Sequence, residues 1–162
     1  KFRSSHLRAV RKAMEKNVIV KQSKNITTFY KILNNNLKIR HGVNPTHTLK
    51  ELKHIFNLFP NRIKLFAAYL ENIMIAGVVT FQVNSNVLLA FYISHDEKYS
   101  ELRAVNILFF EIFKWAIKSN FKIFDFGIFT VSGVPNMGLG RFKENFGASG
   151  IFRDTIELKL SS

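Results

Sequence analysis

The sequence predicts an α/β domain whose mixed, mostly antiparallel sheet is flanked by helices. Three observations carry this expectation. Turns at Glu71-Asn72 and Asn84-Ser85-Asn86 separate three apolar runs, the pattern of antiparallel hairpins. Residues 104–118 are apolar on most of a helical circumference and must pack nearly all round, including against a sheet face. A further apolar run at 122–127 follows that helix, so strands and helices alternate in the second half.

Each element has its own local reason. Residues 4–17 predict a basic helix, with Leu7, Val10 and Met14 as a narrow apolar stripe and Arg8, Arg11, Lys12 and Lys16 on the other faces. Residues 18–20 predict a short strand. Asn25 is placed to cap a helix running to about residue 40, which Gly42 and Pro45 then break. Thr48 with Glu51 spells a capping box for a helix that stops at Pro60. Strands are expected at 63–70, 73–83 and 87–94, then the helix at 104–118 and the strand at 122–127. A short helix at 139–146 follows, ended by Gly147 in the left-handed position. Apolar alternation through Phe152, Ile156, Leu158 and Leu160 predicts a last strand over 151–160.

Composition narrows the function. A chain of 162 residues with 47% hydrophobic content and 17 Phe builds one domain with a large aromatic core. There is no cysteine, which removes disulfides, thiol nucleophiles and thiolate metal sites and fits a reducing cytoplasm. The longest apolar runs are too short to span a bilayer. Histidines 41, 47, 54 and 95 make no metal-binding spacing, so no metal is expected. Charge is uneven: residues 1–64 hold 15 Lys and Arg against Glu15 and Glu51, a balance of +13 that equals the whole chain's net charge. That asymmetry predicts a surface for a polyanion such as tRNA, with Arg8, Arg11 and Lys12 as its first contacts. Because the chain opens on Lys1 rather than Met, it is expected to be part of something longer.

The densest stretch is 122–148. An apolar strand ends in Asp125-Phe126-Gly127, a loop with Gly133, Pro135 and Gly138 follows, and a short helix carries Arg141, Phe142 and Lys143 before Gly147. A strand that delivers a basic residue to a short helix across a glycine-rich loop presents a cation to an anionic or oxyanionic ligand. Asp125-Phe126-Gly127 also spells the magnesium tripeptide of protein kinases, but no glycine-rich phosphate loop, strand lysine or catalytic-loop Asp and Asn precede it.

This block, with Phe142-Lys143-x-x-Phe146-Gly147, resembles the closing motif of Fem-type acyltransferases of the GNAT superfamily. The order of elements over 18–160 is similar to the GNAT order as well. The resemblance implies a fourth strand (87–94) and fifth strand (122–127) that lie parallel and splay apart around the acyl donor. It implies an N-acyltransferase acting on a cell-envelope or sugar-type amine in the cytoplasm or at the inner membrane surface. The donor would be aminoacyl-tRNA or acyl-coenzyme A. The helix at 4–17 resembles the segment that joins two tandem GNAT units, which makes 1–17 a linker and 18–162 the acyltransferase domain, with a second unit upstream.

For the chemistry, the resemblance implies a backbone N–H between Phe91 and Ser94 as the oxyanion donor and Lys143 as the cation that stabilises the transition state. His95, at the end of the fourth strand, is a candidate general base, and Tyr99 a candidate acid for the leaving group. Phe142, Arg141, Tyr92 and Asp125 are candidate substrate contacts, Arg141 for phosphate and Asp125 to orient Lys143 or a loop amide. The chain departs from the coenzyme-binding pattern: 95–102 holds three acids and no glycine, which argues against ordinary coenzyme A binding and toward tRNA. It also keeps a second expectation open, a non-catalytic GNAT fold that binds RNA or a partner domain through its basic third.

Overall fold

The computed structural model describes residues 2–131, 133–152, 154 and 156–158. Helix α1 (Ser4–Glu15) leads into strand β1 (Val18–Ser23), and helices α2 (Ile26–His41) and α3 (Leu49–Leu58) follow. Strands β2 (Ile63–Leu70), β3 (Ile73–Gln82) and β4 (Val87–His95) come next, then a 3-10 helix (Glu97–Leu102) and α4 (Ala104–Lys118). Strand β5 (Ile123–Asp125), the small strands β6 (Thr130–Val131) and β7 (Val134–Pro135), and α5 (Met137–Glu144) complete the order. The main sheet runs β1-β2-β3-β4-β5, antiparallel except for the parallel pair β4–β5. The mixed, mostly antiparallel sheet with flanking helices is therefore as expected, and so are its parallel neighbours β4 and β5.

The sheet is covered on both faces. On one, α4 lays Leu108, Phe109 and Ile112 against Phe66, Val78 and Leu88, and α1 adds Val10 and Ala13. Phe2, Phe113, Phe126 and Phe146 close this face as an aromatic cluster, with Phe2 and Phe146 edge-on at 5.2 Å. On the other face, Phe29, Ile32 and Leu33 of α2 cover Leu65, Ala67 and Val79. Helix α2 comes so close that a Cβ on Gly77 would lie 2.5 Å from the Phe29 ring.

Local chemistry behaves as expected at several ends. Asn25 accepts the Thr28 N–H, and Thr48 with Glu51 forms both halves of the capping box. Gly147 takes φ +92 after α5. Other expectations are corrected. The buried face of α1 is Val10 and Ala13, and Met14 is exposed, so the stripe lies one residue round from the one expected. Helix α5 starts at Met137, where Asn136 caps it by accepting the Leu139 N–H. The described part of 151–158 forms no strand, and Ile151, Phe152, Ile156 and Leu158 are exposed; the rest of that expected strand lies outside the described residues.

Candidate active site

The parallel pair β4–β5 is registered over only three residues, Val87 with Ile123, Leu88 with Phe124 and Leu89 with Asp125. Beyond them β4 continues to His95, while β5 ends at Asp125, which leaves the second half of β4 without a paired strand on that side, an opening in the ladder. Strand β4 is bulged there: Tyr92 pairs with Val79 and Ala90 with Thr80, so Phe91 is the extra residue. The Asp96 N–H donates to the Ile75 carbonyl at 2.8 Å and fixes the phase of the β3–β4 ladder. By antiparallel alternation, Tyr92 and Ser94 bond toward β3, and the N–H groups of Ile93 and His95 face the opening. The Ser94 hydroxyl is buried and has no hydrogen-bond partner among the described residues.

What turns the chain away after β5 is Lys143. Its ammonium donates to the carbonyls of Phe126 (2.8 Å), Gly127 (3.0 Å) and Ile128 (2.6 Å). Successive carbonyls of an extended strand point to opposite sides, so three in a row on one cation require a curl. Gly127 supplies it at φ +67, and Asp125 seals it by accepting the Gly127 N–H at 2.7 Å. Lys143, the cation expected at the oxyanion, is buried at 7% exposed, with all three N–H donors engaged by these carbonyls. Burial lowers its pKa, and the Asp125 carboxylate opposes that shift.

The other expected residues are spread around this opening. His95 Nε2 lies 3.7 Å from Glu97, and its carbonyl accepts from Asn36 at 3.1 Å. Burial lowers the His95 pKa; Glu97 and Asp96 oppose that, while Arg40 and Arg103 add to it. Glu97 itself is bound by Arg40 and, at 3.0 Å, by Asn36, and Asp96 caps the Lys98 N–H. Two of the three acids after β4, Glu97 and Asp96, are therefore held by internal partners. Arg103 begins α4 at φ +54, a left-handed position where an L residue other than glycine is strained.

Tyr99 packs into the α1–α4 core and Tyr92 into the α2–α3 side, so the two tyrosines lie on opposite faces. Phe142 and Phe146 sit in the aromatic cluster, 5.1 Å apart, as core residues. Arg141 is exposed on α5, and Arg8, Arg11 and Lys12 are exposed on α1. Among the described residues no three His, Asp or Glu side chains gather as metal ligands. No helix there is long and apolar enough to cross a membrane.

One group was missed in the sequence. The loop between α2 and α3, anchored by buried Pro45, brings His47 onto the bulge of β4. His47 Nδ1 is 2.9 Å from the Tyr92 hydroxyl, which also accepts the His47 backbone N–H at 3.2 Å. Tyr30 holds the same residue by donating to its carbonyl at 3.0 Å. Phe91 stacks on Phe81 with rings 4.5 Å apart and nearly parallel, beside the His47 ring at 5.6 Å. Nothing in local spacing joins residues 45 apart; only the packing of α2 on the sheet does.

An open slot beside a bulged fourth strand defines an acyltransferase fold of the GNAT type, and comparison with known proteins agrees. The sequence model of the acetyltransferase (GNAT) domain matches residues 1–144, and the chain belongs to this family of acyltransferases. Its fold is similar to a possible acetyltransferase from Clostridium difficile 630, at 13% identity and TM-score 0.70, covering 90% of this chain and 99% of that one. FemX is similar at 14% identity and TM-score 0.75, over 90% of this chain and 54% of FemX. AAC(6')-Iy, solved with a bisubstrate analogue, CoA-S-monomethyl-acetylneamine, is similar at 12% identity and TM-score 0.62, over 89% and 99%. No sequence among curated proteins matches this one.

Proposed function

We propose that the chain is the catalytic unit of a Fem-like N-acyltransferase, which moves an acyl or aminoacyl group to an amine of a sugar-type or cell-envelope acceptor. The observation that carries this reading is the parting of β4 and β5 after Leu89 and Asp125. A donor carbonyl in that slot meets the N–H of Ile93, a preorganised donor for the oxyanion that forms as the amine attacks. The C–N bond forms, the thiolate or ribose oxygen departs with a proton, and the amide is left. Lys143 is assigned to positioning: with its three donors on carbonyls, it holds the slot open and leaves the oxyanion to the backbone.

The Fem-like part rests on the Asp125-Phe126-Gly127 and Phe142-Lys143-x-x-Phe146-Gly147 motifs, and the likeness to FemX supports it. Because the chain spans about half of FemX, we take it as one of two units in a longer cytoplasmic protein. Arg141 and the α1 cations Arg8, Arg11 and Lys12 are offered to donor phosphates. The absence of a glycine-rich turn before α4 keeps a second reading in view, a non-catalytic fold that binds RNA or a partner.

Calorimetry with two donors separates these readings. A short alanyl-tRNA minihelix should bind, and acetyl-coenzyme A should bind weakly. Micromolar affinity for acetyl-coenzyme A would overturn the tRNA donor and leave the acyltransferase, in line with AAC(6')-Iy and its coenzyme A analogue. Binding of the minihelix stripped of its alanine equally well, with no transfer to any amine, would favour the non-catalytic reading.

A further inference from the structure

An acceptor amine reaches a protein largely as an ammonium, with a pKa of about 10 for a lysine-type amine and lower for an amino sugar, and must lose a proton before it attacks. Several bases lie near the opening. Asp125 is committed to the Gly127 N–H, and Glu97 to Arg40 and Asn36. His95 sets its Nε2 toward the Glu97 carboxylate at 3.7 Å, among two acids and two arginines whose effects on it oppose one another. The surroundings of His47 differ. Its ring lies beside the faces and edges of Phe91 and Tyr92, and Phe91 is 37% exposed over its stacked partner Phe81. Aromatic faces attract a cation rather than repel it.

Position agrees with chemistry. The bulge turns Phe91 and Tyr92 to the α2–α3 face, and Tyr92 directly precedes Ile93, whose N–H faces the slot. His47 is held at three points: its carbonyl by Tyr30, and its backbone N–H and ring Nδ1 by the Tyr92 oxygen. With hydrogen on Nδ1, that hydrogen goes to Tyr92 and Nε2 presents a lone pair.

We propose that His47 is the proton acceptor for the attacking amine, held in place by Tyr92, with Phe91 and Phe81 receiving the ammonium. The inference rests on the acyltransferase reading above. The ammonium first gives one proton to His47 Nε2, and the freed amine forms the C–N bond as the carbonyl π pair moves to oxygen. When that pair returns, the C–S or C–O bond breaks, the nitrogen's second proton passes to the leaving thiolate or alkoxide, and His47 returns its own to solvent. The titratable groups facing His47 among the described residues include Tyr92 on β4, Tyr30 on α2 and Glu51 at the start of α3, the last tied into the capping box.

The test uses the whole chain labelled on histidine, with glucosamine as the amine probe. In NMR spectra saturating glucosamine should shift the His47 ring signals, since the amine sits against that ring. Exposed His54 on α3 serves as the unmoved reference. Where glucosamine is acylated from acetyl-coenzyme A or an alanyl-tRNA minihelix, His47→Gln should lower kcat about a hundredfold near neutral pH. That deficit should shrink as pH rises toward the amine's own pKa, and Tyr92→Phe should lose part of the same rate. An unmoved His47 signal overturns the proposal, as does a deficit that is absent or constant with pH. The NMR shift decides alone if glucosamine is not turned over. Donor binding with an unmoved His47 sinks this inference only, whereas loss of all donor binding sinks the acyltransferase reading itself.

Discussion

Lys143 is a cation used as a bracket. Three consecutive carbonyls converge on its ammonium, and the Phe126 bond is fully buried. Lys143→Met keeps the length of the side chain and removes every donor, so those carbonyls must find water or go unpaired. We expect a loss of about 2–3 kcal/mol in urea denaturation, the cost of orphaned buried acceptors. Amide exchange at 126–128 should rise with it. Lys143→Arg should recover little, since a planar guanidinium does not fit the point where three carbonyls meet. A Met variant as stable as the parent chain would show that water replaces the ammonium without cost. The motif reads as a cation presented to a ligand, whereas the fold follows the spacing of Leu139, Phe142, Lys143 and Phe146, which at i, i+3, i+4, i+7 puts the lysine on the inner stripe. His47 was not legible, because its partner Tyr92 is joined to it by tertiary packing alone.

At the scale of elements, α2 sets how the acceptor side of β4 is built, and its seat on the sheet depends on Gly77. A Cβ there would lie 2.5 and 2.8 Å from two atoms of the Phe29 ring, which is wholly buried and cannot swing away. Gly77→Ala should therefore cost about 1–3 kcal/mol through overpacking. Gly77→Ala combined with Phe29→Leu should be more stable than the single effects add up to, because the smaller side chain makes room. Equal stability of Gly77→Ala and the parent chain in denaturant would mean that α2 shifts freely. The hairpins of β2, β3 and β4 were readable because their turns carry Asn and Glu71 between long apolar runs, with Glu71 left-handed as a tight turn requires. The short reach of β5 and the hairpin of β6 and β7 were not. They depend on where a lysine sixteen residues downstream of Gly127 draws the chain, which no periodicity records.

For the whole molecule the question is where the excess charge lies. All of it belongs to residues 1–64, but the fold divides those residues between two sides. Helix α1 packs with α4 on one face of the sheet, and α2 and α3 cover the other. A polyanion on one side therefore meets only part of the basic third. Arg8, Arg11 and Lys12 of α1 and Arg3 at its N-cap are exposed, so about four phosphates are neutralised rather than the thirteen that net charge suggests. With a slope near −0.9 per phosphate, tRNA affinity should fall on the order of a hundredfold between 50 and 200 mM salt. Replacing Arg8, Arg11 and Lys12 by Ala should flatten the log–log slope by about three units, read by filter binding across a salt series. The side chains point outward and Val10 and Ala13 make the buried contact, so melting temperature should hold. An unchanged slope in the triple variant would move the polyanion to the α2–α3 side, beside His47. A slope near zero in the parent chain would leave the basic residues as a solvated surface.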